Sequence, residues 1–146
     1  MPDATYRLTL VLLECLQGQE FDGDEPYLKL NGEVIWAWEH MGRKMHDNLN
    51  AKSWTNAFDF RTAHFRTLEG WEPSPVYKAG QFEFTSLSGE VHIELWESDE
   101  GELLRGDDDF LGELVVTVDN ARMGEQIAVF DQNNALYQLT YRISPE

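Results

Sequence analysis

Apolar and polar residues alternate along this chain in short bursts separated by turn residues. Residues Tyr6–Leu16 (YRLTLVLLECL) are rich in Leu and Val, lack Gly and Pro, and alternate in part. That composition suits a buried central strand better than a solvated helix. A polar turn, QGQEFDGDEP, leads into YLKLNGEVIWAW, where Asn31-Gly32 lies between two alternating runs. Asn-Gly readily adopts the positive φ angles of a two-residue hairpin, so a strand is predicted on each side of it. The alternation resumes in GQFEFTSL, turns at Ser88-Gly89, and continues through EVHIELW, FLGELVVTV, QIAVF and LYQLTYRI, the last two separated by DQNNA.

These runs predict about eight strands and little helix, the pattern of an all-β antiparallel sandwich. Residues Glu39–Pro73 show no clean period of 2 or 3.6 and read as an elaborated connection, with a short strand at SWTNAFDFRT. No internal repeat or low-complexity tract is found. At 146 residues and 42% hydrophobic content, the chain is long enough to bury a core as one domain over 1–146.

Charge sharpens this picture, because the net formal charge is −16 and it is unevenly spread. Four of the 27 acidic residues lie in Glu20–Glu25 and nine in Glu94–Glu113, while Arg43–Lys78 carries six of the 11 basic residues. So few cations argue against nucleic-acid binding, which requires Lys and Arg to neutralise phosphates. No apolar run reaches the roughly 18 residues of a membrane-spanning helix. If Met1 is the native start, the lack of the basic start and small-residue cleavage site of a secretory signal gives the expectation of a soluble, cytoplasmic protein. Cys15, the single cysteine, excludes an intramolecular disulfide and a thiolate zinc cluster, and its apolar strand makes it a small core residue. His40, His46, His64 and His92 lack the i, i+4 spacing of a helical zinc site.

The two acidic windows interrupt the strand pattern as loops. Like charges about 4 Å apart repel by roughly 4 kcal/mol at an effective dielectric of 20, so clustering them is costly unless a cation compensates. Calcium, a hard ion taking six to eight oxygen ligands, is the cation suited to such loops. In the first loop, Glu20, Asp22, Asp24 and Glu25 surround Gly23, whose missing Cβ permits a tight turn. In the second, Glu97 and Asp99 have alternate spacing at a strand end, and Asp107, Asp108 and Asp109 return just before FLG. The twelve-residue helix-loop-helix calcium motif does not fit, because the Asp99 region lacks its central glycine and terminal glutamate and its flanks read as strands.

Three segments, in order, resemble the calcium-and-lipid-binding C2 domain family, an eight-stranded β-sandwich with calcium ligands on loops at one end. EFDGDEPYLKL is similar to the family's acidic loop preceding Pro-Tyr, which would place Glu20 and Glu25 in ligand positions. SPVYKAGQFEF resembles its Asn-Pro-x-Trp segment entering an F-x-F strand, and there Pro75, Tyr77, Phe82 and Phe84 would be structural. ELWESDEGELLRGDDDFLGEL resembles its second acidic stretch and would make Glu97, Asp99 and Asp109 ligands, with Asp107 as an extra one. The resemblance covers Tyr6–Gly32 and Ser74–Ile143 and fits the circularly permuted, type II topology, with the extra strand at the C-terminus.

Glutamate stands at 20, 25 and 97 where the family usually has aspartate. The first loop is also shorter and the second longer than in the family. The resemblance implies a calcium-binding module, with the ion stabilising the domain or bridging it to a protein partner or phospholipid. A metal-independent interaction domain on the same fold is the alternative. With no nucleophile–base constellation and no phosphate loop, the chain is expected not to be an enzyme; a carboxylate-dependent glycan hydrolase is the remaining catalytic reading.

Overall fold

The computed structural model describes residues 5–17, 26–38, 57–67, 70–98, 108–117 and 124–146. Eleven strands form two antiparallel sheets among these residues. The smaller sheet has the order β3-β2-β8-β9, comprising β3 Glu33–Ala37, β2 Pro26–Leu30, β8 Glu90–Glu97 and β9 Asp109–Thr117. The larger sheet runs β10-β11-β1-β4-β5-β6, comprising β10 Gly124–Phe130, β11 Leu136–Pro145, β1 Tyr6–Gln17, β4 Ala57–Asp59, β5 His64–Thr67 and β6 Gly70–Pro73. β7, Glu83–Leu87, also pairs with β1.

The apolar Tyr6–Leu16 run occupies the position its composition predicts. β11 flanks β1 along its whole length on one side; on the other, β7 covers Tyr6–Thr9 and β4 covers Leu12–Glu14. Its alternation is partial because the register shifts between Leu10 and Leu12. Tyr6, Leu8 and Leu10 point into the core; beyond the irregularity the buried positions are Leu13 and Cys15. A bulge of this kind adds one residue and reverses the facing of everything after it. Pairing of β1 with the C-terminal β11 is the adjacency expected of the permuted topology. The Asn31-Gly32 hairpin forms with φ of 51° and 86°, as a type I′ turn requires.

In segment 39–73, β4 falls within the short strand expected at SWTNAFDFRT, but β5 and β6 were not expected; all three join the larger sheet and bring the strands among the described residues to eleven rather than about eight. These strands are only three to four residues long, too short to display a period. Their anchor is aromatic packing across the sandwich. Trp36 of β3 meets Phe58 and Phe60 edge-on at centroid distances of 5.4 and 5.5 Å, and Phe82 closes on Phe60 at 4.9 Å. Edge-to-face pairs at these separations add specificity to the apolar burial that joins the two sheets.

Candidate metal centre

Strand β8 has a strict alternation of burial. Val91, Ile93 and Leu95 face the core, and Glu97 continues the same row at the end of the strand with no exposed surface. Glu97 is directly opposite Asp109 on β9 and Pro26 on β2. Directly opposed residues of an antiparallel pair share a face, with Cβ atoms about 4.5–5.5 Å apart. Two carboxylates therefore leave the core-facing side of the sheet together, at the edge of the core.

These anchors also fix where the acidic loops begin and end. Segment 18–25 runs from β1 into Pro26, and segment 99–107 bridges the ends of β8 and β9, so both spring from one end of the small sheet. The turn between β10 and β11 is fastened to the same end, where Gln132 N–H donates to the Leu111 carbonyl at 3.0 Å and Asn133 Nδ2 to the Phe110 carbonyl at 2.6 Å. Segment 39–56 departs there as well, since Trp38 N–H donates to the Pro26 carbonyl at 2.9 Å. The sequence carried no signal for either of these last two neighbours, because in each contact the acceptor is a backbone carbonyl, which any residue supplies.

Asp108 faces the other way. The Tyr27 hydroxyl donates to its Oδ2 at 2.5 Å on the outer side of the sheet. Burial raises the Tyr27 phenol well above its ordinary pKa; the hydrogen bond to Asp108 and the negative charges of Asp108, Glu97 and Glu94 raise it further. The phenol thus stays protonated and donating, in a field made negative by the surrounding carboxylates.

Of the expected ligands, the structure brings together Glu97 and Asp109. Glu20, Asp22, Asp24, Glu25, Asp99 and Asp107 lie outside the described residues. Among the described residues, no three His, Cys, Asp or Glu side chains are grouped so as to hold an ion. The two that converge offer carboxylate oxygen only, the donor type calcium takes, and a complete shell would need further oxygens from the adjoining loops.

No family model matches the chain, and no curated protein matches it. Among solved structures, it is similar to the paired C2 domains of extended synaptotagmin 2, at 17% identity and a TM-score of 0.51, over 99% of this chain and 42% of that one. A further C2 domain structure aligns over 97% of this chain and 98% of that one, at 14% identity and a TM-score of 0.45. Human GIVD cytosolic phospholipase A2 aligns at 12% identity and a TM-score of 0.48, over 99% of this chain and 18% of the enzyme. The chain thus spans less than half the length of the synaptotagmin and phospholipase chains it resembles. Eleven antiparallel strands in two facing sheets, together with the synaptotagmin likeness, identify the fold as the β-sandwich of C2 domains.

Proposed function

We propose that this chain is a non-catalytic, calcium-binding C2-like module. The ion is held between loop 20–25 and loop 97–109, with Glu97 and Asp109 at its base. One observation carries this reading: Pro26, Glu97 and Asp109 are neighbours in register, which joins the roots of two acid-rich loops beside two carboxylates. Opposed like charges weaken a β-ladder, and a bound divalent cation would reverse that cost. Glu20, Asp22, Asp24, Glu25, Asp99 and Asp107 are the proposed remaining ligands. Ion binding would order and neutralise this end, stabilising the domain or bridging it to a protein or phospholipid partner.

Calorimetric titration with calcium tests the assignment. Heat is expected from the parent and none from an Asp99→Asn, Asp109→Asn double variant; no heat from the parent would defeat the reading. At a hundred times the dissociation constant, calcium adds about 2.7 kcal/mol, which for a domain this size raises the melting midpoint by roughly 5–10 °C. Equal midpoints in calcium and in chelator would instead support a metal-independent interaction domain. Sedimentation with anionic vesicles, with and without calcium, distinguishes a lipid partner from a protein one.

A further inference from the structure

We propose that the outer face of the four-stranded sheet is a docking surface for a lysine- or arginine-rich segment of a partner protein. The face is built by the residues that alternate with the core row of β8, namely Glu90, His92, Glu94 and Trp96. Register extends it sideways. Tyr27, Trp96 and Phe110 form one cross-strand row, and Lys29, Glu94 and Glu113 form the next. Val34 and Val115, 54% and 41% exposed, lie on either side.

Charge complementarity selects the occupant. Among the described residues, Glu90, Glu94, Glu113 and Asp108 oppose one lysine on this face, in a molecule of net charge −16. The aromatic row already receives an ammonium from its own chain, because Lys29 Nζ lies 5.1 Å from the Trp96 ring centroid and 5.9 Å from that of Tyr27. That is the range over which a cation is attracted to a ring face. Glu94 Oε1 accepts the Trp96 Nε1 hydrogen at 2.8 Å, which holds the indole beside the carboxylates. Each carboxylate has about four acceptor sites, so a neighbouring N–H leaves capacity for an incoming cation. The exposed valines give the aliphatic stems of Lys or Arg an apolar surface to cover. An anionic membrane or nucleic acid would be repelled by the same carboxylates.

His92 makes the surface sensitive to pH. Its Nδ1 lies 2.8 Å from Glu113 Oε2 and its Nε2 2.9 Å from Glu90 Oε1, so the imidazolium occupies two of the carboxylates a basic partner would use. Among the described residues, Glu94 two positions along β8 and Lys29 on β2 are the other charged groups on this part of the face. Protonated His92 competes with the partner, whereas neutral His92 competes less. Docking is therefore tighter at pH 8 than at pH 6.

The test is calorimetric titration of the whole chain with acetylated hexalysine amide, in chelator and low salt, which makes it independent of the calcium reading. A Glu90→Gln, Glu94→Gln, Glu113→Gln variant is expected to bind at least tenfold more weakly. A Glu83→Gln, Glu125→Gln variant, which removes two exposed carboxylates of the larger sheet, should stay within twofold of the parent, and Trp96→Leu, with charge unchanged, should bind about threefold more weakly. Parent affinity should rise from pH 6 to pH 8, with a flatter profile in His92→Gln. An equal loss in the larger-sheet and face variants would mean attraction to net charge alone and would overturn the proposal, as would no binding by the parent.

Discussion

Gly112 shows how tightly the two sheets meet beside the candidate centre. A Cβ built there would lie 2.6 Å from Phe130 Cδ1 and 3.0 Å from Phe130 Cα, and the backbone of a neighbouring strand does not yield. Gly112→Ala is expected to destabilise the domain by about 1–3 kcal/mol, the usual range for overpacking, read as a lower urea midpoint. An unchanged midpoint would mean that β9 and β10 separate at little cost. Gly112 is the glycine of the FLG motif, so a residue that reads as part of a family signature acts here through packing. Glu97 carries the complementary lesson. Alternation in EVHIELWE already sets the facing of its side chain, and the structure adds that Asp109, rather than Asp108, shares that face. The parity of β9 could not be read from sequence because a register shift falls between Leu95 and Trp96.

At the scale of strands, the long elements were legible, as were the five-residue β2, β3 and β7, and β4 falls within the short strand expected at SWTNAFDFRT; β5 and β6 were not legible. β1, β8, β9 and β11 run eight to twelve residues, enough for alternation to show through one irregularity. β4 and β5 owe their place to Phe58, Phe60 and Phe65 packing against Trp36 and Trp38, with β6 paired onto β5, and contacts between remote residues leave no period behind. The β8–β9 pair supports a prediction through His92, whose pKa is raised by its hydrogen bonds to Glu113 and then Glu90. A raised value means that the folded state holds the proton more firmly than the unfolded chain. The stabilisation is therefore fully present below the unfolded value of about 6.5 and is lost as pH rises through the folded one. The melting midpoint of the parent, measured relative to His92→Gln, is expected to fall between pH 6 and pH 8. A constant difference would show that the two carboxylates do not hold the imidazolium in solution.

For the molecule as a whole, a charge of −16 on 146 residues favours solubility and works against compactness through self-repulsion. In chelator, raising sodium chloride from about 0.01 M to 0.1 M shortens the Debye length from about 30 Å to about 10 Å and is expected to raise the melting midpoint. A midpoint that stays flat would mean the carboxylates are already neutralised locally. Composition made this charge visible, and the order of segments pointed to the sandwich. Convergence at the site depended on strand order, which sets Pro26 beside Glu97.

The register of β1 on β11 has a mechanical consequence. Tyr6 pairs with Pro145 and Gln17 with Leu136, so the outer ends of both strands emerge together, a strand's length from the roots of the acidic loops. Antiparallel hydrogen bonds lie across the strands. A force pulling Tyr6 and Pro145 apart would open the ladder one rung at a time, like a zipper, instead of shearing all its bonds at once. Under tension the domain would yield first at the pole away from its carboxylates, so the loops would keep their framework while the far end peels.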